Sequence, residues 1–192
     1  MKTFKISIIA LALLLGCGTI FAQETISPDR KKAIDSLALE KVRDLSKYIA
    51  LVGSKETPWS EAQRVIQRAE ELFMPGSEMG VSSLYRPEIS YFKVREYFER
   101  LMRLNYDKVS IDWYNIEYVS DLEQQPDGTF VGVITIFQRF EGYNKEKGLV
   151  YRDTTKKDIT IYVKRKETQI GGRTIGFWDV LLGDIRVKET RP

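Results

Sequence analysis

The chain has 192 residues, with 30 Lys and Arg against 27 Asp and Glu, one cysteine and no histidine. Without histidine there is no Ser–His or Cys–His nucleophile pair and no histidine-ligated metal site. So even a charge balance is not the footprint of a nucleic-acid binder, which concentrates a basic excess on one face.

The N-terminus reads as an export signal. Lys2 and Lys5 precede an apolar run from Ile6 to Leu15 that only Ser7 interrupts. A membrane span needs about 20 apolar residues, so this run is too short to be one. Short, apolar and preceded by positive charge, it fits a cleavable signal. Two cuts are available. Ile20-Phe21-Ala22 before Gln23 suits signal peptidase, with Ala22 at the cut. Leu14-Leu15-Gly16-Cys17 resembles a bacterial lipoprotein box, and cleavage there would leave Cys17 lipidated. The first cut makes 1–22 a signal peptide and 23–192 a single periplasmic or secreted domain. The second anchors that domain to the cell envelope. Neither leaves a pair of cysteines for a disulfide.

Helical spacing fills the first half. Ser27-Pro28-Asp29 carries N-cap, first-turn proline and first-turn acid in order. Ile34, Leu37, Leu45, Tyr48, Ile49 and Val52 follow, and Gly53 is the expected stop. A second start at Thr57-Pro58-Trp59 precedes the stripe Ala62, Val65, Ile66, Ala69, Leu72 and Phe73. Val81 to Tyr85 reads as a short strand. Pro87 then opens a third expected helix, with Ile89, Phe92, Phe98, Leu101 and Met102 as its buried stripe.

From Val109 the period becomes two. Val109, Ile111 and Trp113 alternate with polar neighbours, and Ile116, Tyr118 and Leu122 continue on the other parity. The slip near Tyr114-Asn115 predicts a bulge and a bent strand. Gln125-Pro126-Asp127-Gly128 predicts a turn. Strands are expected over 130–140, 150–164 and 175–187, the last two joined by a turn at Gly171-Gly172. These connections are too short for crossover helices, so an antiparallel meander is expected. Lys156-Lys157 and Lys164-Arg165-Lys166 read as solvated strand ends.

The fold class is therefore α+β: three N-terminal helices on a strongly bent antiparallel sheet of four long strands plus one short one. This order of elements, from Ser27 to Val187, resembles the nuclear transport factor 2-like superfamily, whose domains are cones. The resemblance implies either a cavity enzyme (isomerase, dehydratase or cyclase) or a non-catalytic binding or dimerisation module. It assigns no residue here a role.

The candidate cavity residues are Trp113, Gln138, Asp153, Trp178 and Asp179, each with an alternative reading. Gln138 breaks the apolar row Phe130, Ile134, Ile136, Phe140, either as a cavity hydrogen-bonding group or as an amide tied to backbone. Asp179 is a general base if it shares an inward face with Ile175, Phe177 and Leu181. It is a surface acid if Trp178, Val180 and Leu182 point inward instead. Asp153 with Tyr151 and Thr155, like Asp112 with Tyr114, suits histidine-free acid/base work or an exposed sheet face. Trp113 and Trp178 are core anchors or pocket walls.

No cofactor motif is present. The expected function is an exported, non-catalytic envelope domain binding a small apolar ligand or an envelope protein. A carboxylate-dependent cavity enzyme is the alternative. A homodimer or envelope-complex subunit using Tyr114, Tyr118, Phe137 and Tyr162 is a third.

Overall fold

The computed structural model describes residues 26–118 and 120–192. The expected signal, with Cys17 and both cuts, lies outside them. The first helix, α1 (Pro28–Gly53), starts where its capping signals place it: the Ser27 hydroxyl accepts the Arg30 N–H at 3.4 Å. Its buried residues, Ile34, Ala38, Val42, Leu45, Ile49 and Val52, step by three or four along one stripe. Helix α2 (Trp59–Glu70) buries Ala62, Val65, Ile66 and Ala69. Its expected continuation is not helical. Phe73 bridges instead to Leu182, and Met74 N–H and Leu182 N–H bond to the Leu182 and Leu72 carbonyls at 2.7 and 2.8 Å.

Next come two strands, β1 (Glu78–Ser83) and β2 (Arg86–Lys93), and helix α3 (Val94–Met102). Pro87 therefore opens a strand, not the third helix. Apolar residues at 89, 92 and 98 imitate a helical stripe, but Leu84 and Tyr85 form a tight turn that sends the chain back along β1. As the outermost strand of the sheet, β2 tolerates a proline, which has no N–H to donate. Ile89 is accordingly exposed, and only the part from Val94 onward buries a helical face.

The remaining strands are β3 (Lys108–Tyr118), β4 (Glu123–Gln124), β5 (Phe130–Asn144), β6 (Gly148–Ile170) and β7 (Arg173–Arg191). The sheet order is β2-β1-β7-β6-β5-β3, with β4 beside β5. The meander β3, β5, β6, β7 is antiparallel as expected. The β1–β7 pair is parallel, so the whole sheet is mixed. The predicted bulge is present: pairing slips between Tyr114 and Glu117, and Asn115 takes φ 47°. Further slips fall on either side of Ile159. They bend the sheet, and α1 packs against both β3 and β7 inside the curve. This is the cone that the element order implies. No helix among the described residues is long and apolar enough to cross a membrane.

The core sits in the closed half of the cone. Ile134 and Ile136 of β5, Ile159, Ile161 and Val163 of β6, and Val180, Leu182 and Ile185 of β7 meet the α1 and α2 stripes, all fully buried. Each such side chain contributes about 1.5–3 kcal/mol by leaving water. The inner face of β6 in this half is aliphatic at Ile159, Ile161 and Val163.

Candidate functional site

The inner face of β6 changes character along its length. From Val163 back to Ile159 every second residue is aliphatic; from Lys157 back to Tyr151 every second residue is polar. The sequence Tyr151-x-Asp153-x-Thr155-x-Lys157 thus continues the core row with polar groups. Asp153 is 4% exposed, Thr155 2% and Lys157 3%. Burying such groups is unfavourable unless they are paired, and here they line a cavity of about 460 Å³. The cavity lies between this face, Gln138 and Phe140 of β5, the β1–β2 hairpin and α3. Phe92, Tyr97, Leu101, Leu104 and Phe140 supply its apolar walls. The Arg100 guanidinium covers the Phe92 ring, 4.1 Å from its centre. A volume of this size is ordinary for a small-molecule site.

Two sets of hydrogen bonds hold the polar residues. In one, the Tyr151 hydroxyl donates to Asp153 Oδ2 at 2.5 Å, accepts the Leu84 N–H at 3.1 Å and lies 3.4 Å from Ser83 Oγ. In the other, Lys157 Nζ donates to the Gly80 carbonyl at 3.1 Å and to Gln138 Oε1 at 3.2 Å. The same Gln138 oxygen accepts the Trp113 indole N–H at 3.1 Å. Gly80 must be glycine for its carbonyl to sit there, since a Cβ would lie 2.9 Å from the Ile185 carbonyl oxygen of β7.

Burial pushes the Asp153 carboxyl above its ordinary value, while the Tyr151 hydroxyl, the Lys157 charge and Thr155 pull it back. Burial pushes the Lys157 ammonium down to about 8, opposed in part by Asp153. Tyr151 is held above the usual phenol range by burial and by its bond to Asp153. Burial does the same to Tyr97. The cavity therefore holds an acid and an amine whose proton affinities have both moved toward neutrality, together with phenols that stay protonated.

Two of the five expected residues, Gln138 and Asp153, are on the cavity wall. The exposed-face alternative for Asp153 fails, because β6 turns this parity inward. The backbone-amide alternative for Gln138 fails as well, since its partners are side chains. Trp113 stands behind Gln138 as its hydrogen-bond donor. Trp178 packs edge-on against Phe130, with ring centres 5.6 Å apart, as a core anchor. Asp179 lies outside the cavity, paired with Lys166 at 2.5 Å and Lys41 at 3.5 Å. Burial works to raise its carboxyl, but the two lysines outweigh this and hold it below the ordinary value. Asp112 is exposed, and Tyr114 stacks on Phe137 away from the cavity.

Lys157 overturns its reading as a solvated strand end. A pair of lysines in a strand puts one on each face, and the parity of Ile159 and Ile161 assigns Lys157 to the inside. That signal was present in the sequence. A helix start at Pro87 leaves Tyr97 off the expected stripe, whereas α3 from Val94 buries Tyr97 on the cavity wall.

No protein-family model matches the chain, and no curated protein matches it. Similar solved structures include a scytalone dehydratase-like protein of Novosphingobium aromaticivorans DSM 12444, at 13% identity and a TM-score of 0.41 over 85% of this chain and 90% of that one. A type 2 hexachlorocyclohexane dehydrochlorinase, LinA, is 12% identical with a TM-score of 0.40, over 84% and 92%. The epoxide hydrolase/cyclase-like enzyme SalBIII is 14% identical with a TM-score of 0.30, over 78% and 97%. At such distances no chemistry passes from them to this chain, and function has to be argued from the cavity itself.

Proposed function

We propose that this protein is a cavity enzyme that moves a proton on a small, largely apolar molecule, with Asp153 as the acid/base group. The chemistry would be of the isomerase, dehydratase or cyclase kind. One observation carries the reading: Asp153, a carboxylic acid residue only 4% exposed, stands on the wall of a 460 Å³ cavity. A raised carboxyl is a stronger base once ionised, and it can both take and return a proton nearer neutral pH. Tyr151 fixes its orientation from one side. The Lys157 head group would stabilise negative charge developing on a ligand oxygen. The apolar walls of Phe92, Leu101 and Phe140 would hold the apolar part of the ligand.

A specific observation favours a second reading. Asp153 has its tyrosine and Lys157 its two acceptors, so the polar groups are satisfied without any ligand. A module that binds a small apolar molecule without turnover would look like this. On either reading the N-terminal sequence makes export to the envelope or beyond part of the proposal.

Deuterium wash-in separates the two. The protein is incubated in D2O with a panel of small cyclic ketones and hydroxyketones, and α-proton exchange is followed by ¹H NMR. An enzyme of this kind exchanges at least one of them well above the buffer rate, and Asp153→Asn abolishes the exchange while binding persists. Binding with no exchange supports the module. Neither binding nor exchange removes both readings.

A further inference from the structure

Lys157 occupies a position where the strand pattern calls for an aliphatic residue. Ile159, Ile161 and Val163, next along the same parity, are fully buried core. A methionine would fill the space without the several kcal/mol that desolvating an ammonium costs. Neither hydrogen-bond acceptor of Lys157 is a carboxylate; they are the Gly80 carbonyl and the Gln138 amide oxygen. Lys157 also lines the cavity, so its amine can meet a ligand there once it has given up its proton.

We propose that Lys157 is a nucleophile that captures the carbonyl carbon of a small aldehyde or ketone in this cavity as an imine. This names the substrate class of the site described above and rests on its reading as a ligand cavity. Burial supports it: with its ammonium pushed down to about 8, Lys157 is neutral at pH 7 about 300-fold more often than an ordinary lysine. Desolvated lysines of this kind are the ones that form Schiff bases.

The step balances without an oxidant or reductant. The nitrogen lone pair attacks the carbonyl carbon, and the π pair moves to oxygen, which takes a proton. The nitrogen then expels that oxygen as water, having supplied the second proton. Overall, one ammonium and one carbonyl give one protonated imine and one water. Phe92, Leu101 and Phe140 give the rest of the ligand an apolar wall.

Reductive trapping tests this on the wild-type protein. The chain is incubated at pH 7 with benzaldehyde and cyanoborohydride, then analysed by intact mass and peptide mapping. The expected result is one benzyl group per chain, on the peptide carrying Lys157, formed at least tenfold faster than on any other lysine. Lys157→Met loses that adduct. Benzylation spread over surface lysines with Lys157 unmodified overturns the proposal. Native mass spectrometry with benzyl alcohol, which has no carbonyl, separates the two kinds of failure. Occupancy by benzyl alcohol with Lys157 unmodified overturns the imine and leaves the cavity reading standing. No occupancy and no adduct overturns both.

Discussion

Lys157 Nζ and Gln138 Oε1 lie 3.2 Å apart, side by side on the inner faces of β6 and β5. The amide oxygen also holds the Trp113 indole at 3.1 Å, so one acceptor serves two buried donors from two different strands. Gln138→Leu keeps the volume and removes that acceptor. A buried donor left unsatisfied costs about 1–3 kcal/mol, and here there are two. Urea unfolding at pH 7 is expected to show a loss of about 2–4 kcal/mol. A loss below about 0.5 kcal/mol would mean that the bonds are not formed in solution.

The Lys157 ammonium makes stability depend on pH in an unusual direction. Its folded value, about 8, lies below the unfolded value of 10.5. Between the two the unfolded chain binds more protons, so stability from this group rises with pH. Below pH 8 the full penalty of the buried charge is present. Wild type should therefore gain on Lys157→Met as pH rises from about 7.5 to 10, by up to roughly 3 kcal/mol. The comparison stops at pH 10, because Tyr97 ionises there in the unfolded chain and not in the fold, which lowers stability again. Parallel stability curves for the two proteins would contradict the burial.

Asp153 acts in the opposite sense. Its folded value is raised above the ordinary 3.8, so the fold binds the proton more tightly than the unfolded chain. Stability from this group falls as pH rises through that window and stays lowered above it. Asp153→Asn keeps an oxygen for Tyr151 and removes the charge. Urea unfolding should find it at least as stable as wild type at pH 7, with the advantage shrinking toward pH 4. Asp179→Asn should behave in the reverse way. Its carboxyl is held below the ordinary value, so its contribution is present at neutral pH and fades in acid. It should leave ligand binding untouched, since Asp179 is outside the cavity.

Two glycines separate framework from cavity mouth. A Cβ at Gly80 meets the backbone of β7, the Ile185 carbonyl oxygen, at 2.9 Å, and backbone cannot easily give. A Cβ at Gly142 meets the Tyr106 ring at 2.5 Å, and that ring can swing. Gly80→Ala is expected to cost about 1–3 kcal/mol of stability, typical of overpacking. Gly142→Ala should cost less and instead displace Tyr106, which lines the cavity. Thermal melts and a binding titration of both variants check this. Equal losses of stability would contradict the assignment.

Much of the fold is legible along the sequence because its signals are local. The Ser27 cap, the bulge at Asn115 and the polar row on β6 each need only neighbouring residues to be recognised. What fails is decided at a distance. Nothing local distinguishes Pro87 on an edge strand from Pro87 at a helix start until β1 is there to pair with. The contrast between Asp153 and Asp179 also depends on distant partners: a cavity wall for one, and Lys41 of α1 with Lys166 for the other. The parity of Ile159, carried two residues back, places Lys157 on the inner face even though adjacent lysines usually mark a surface.

The central claim is that the polar half of the cone holds a small molecule. The most direct measurement is native mass spectrometry of the gently purified protein beside Leu104→Trp, which puts an indole into the cavity. The account predicts a reproducible small-molecule adduct on the wild type, or uptake of one from a panel of apolar ketones and alcohols, and its loss in Leu104→Trp. A bare mass for both proteins, with no uptake from the panel, would contradict it.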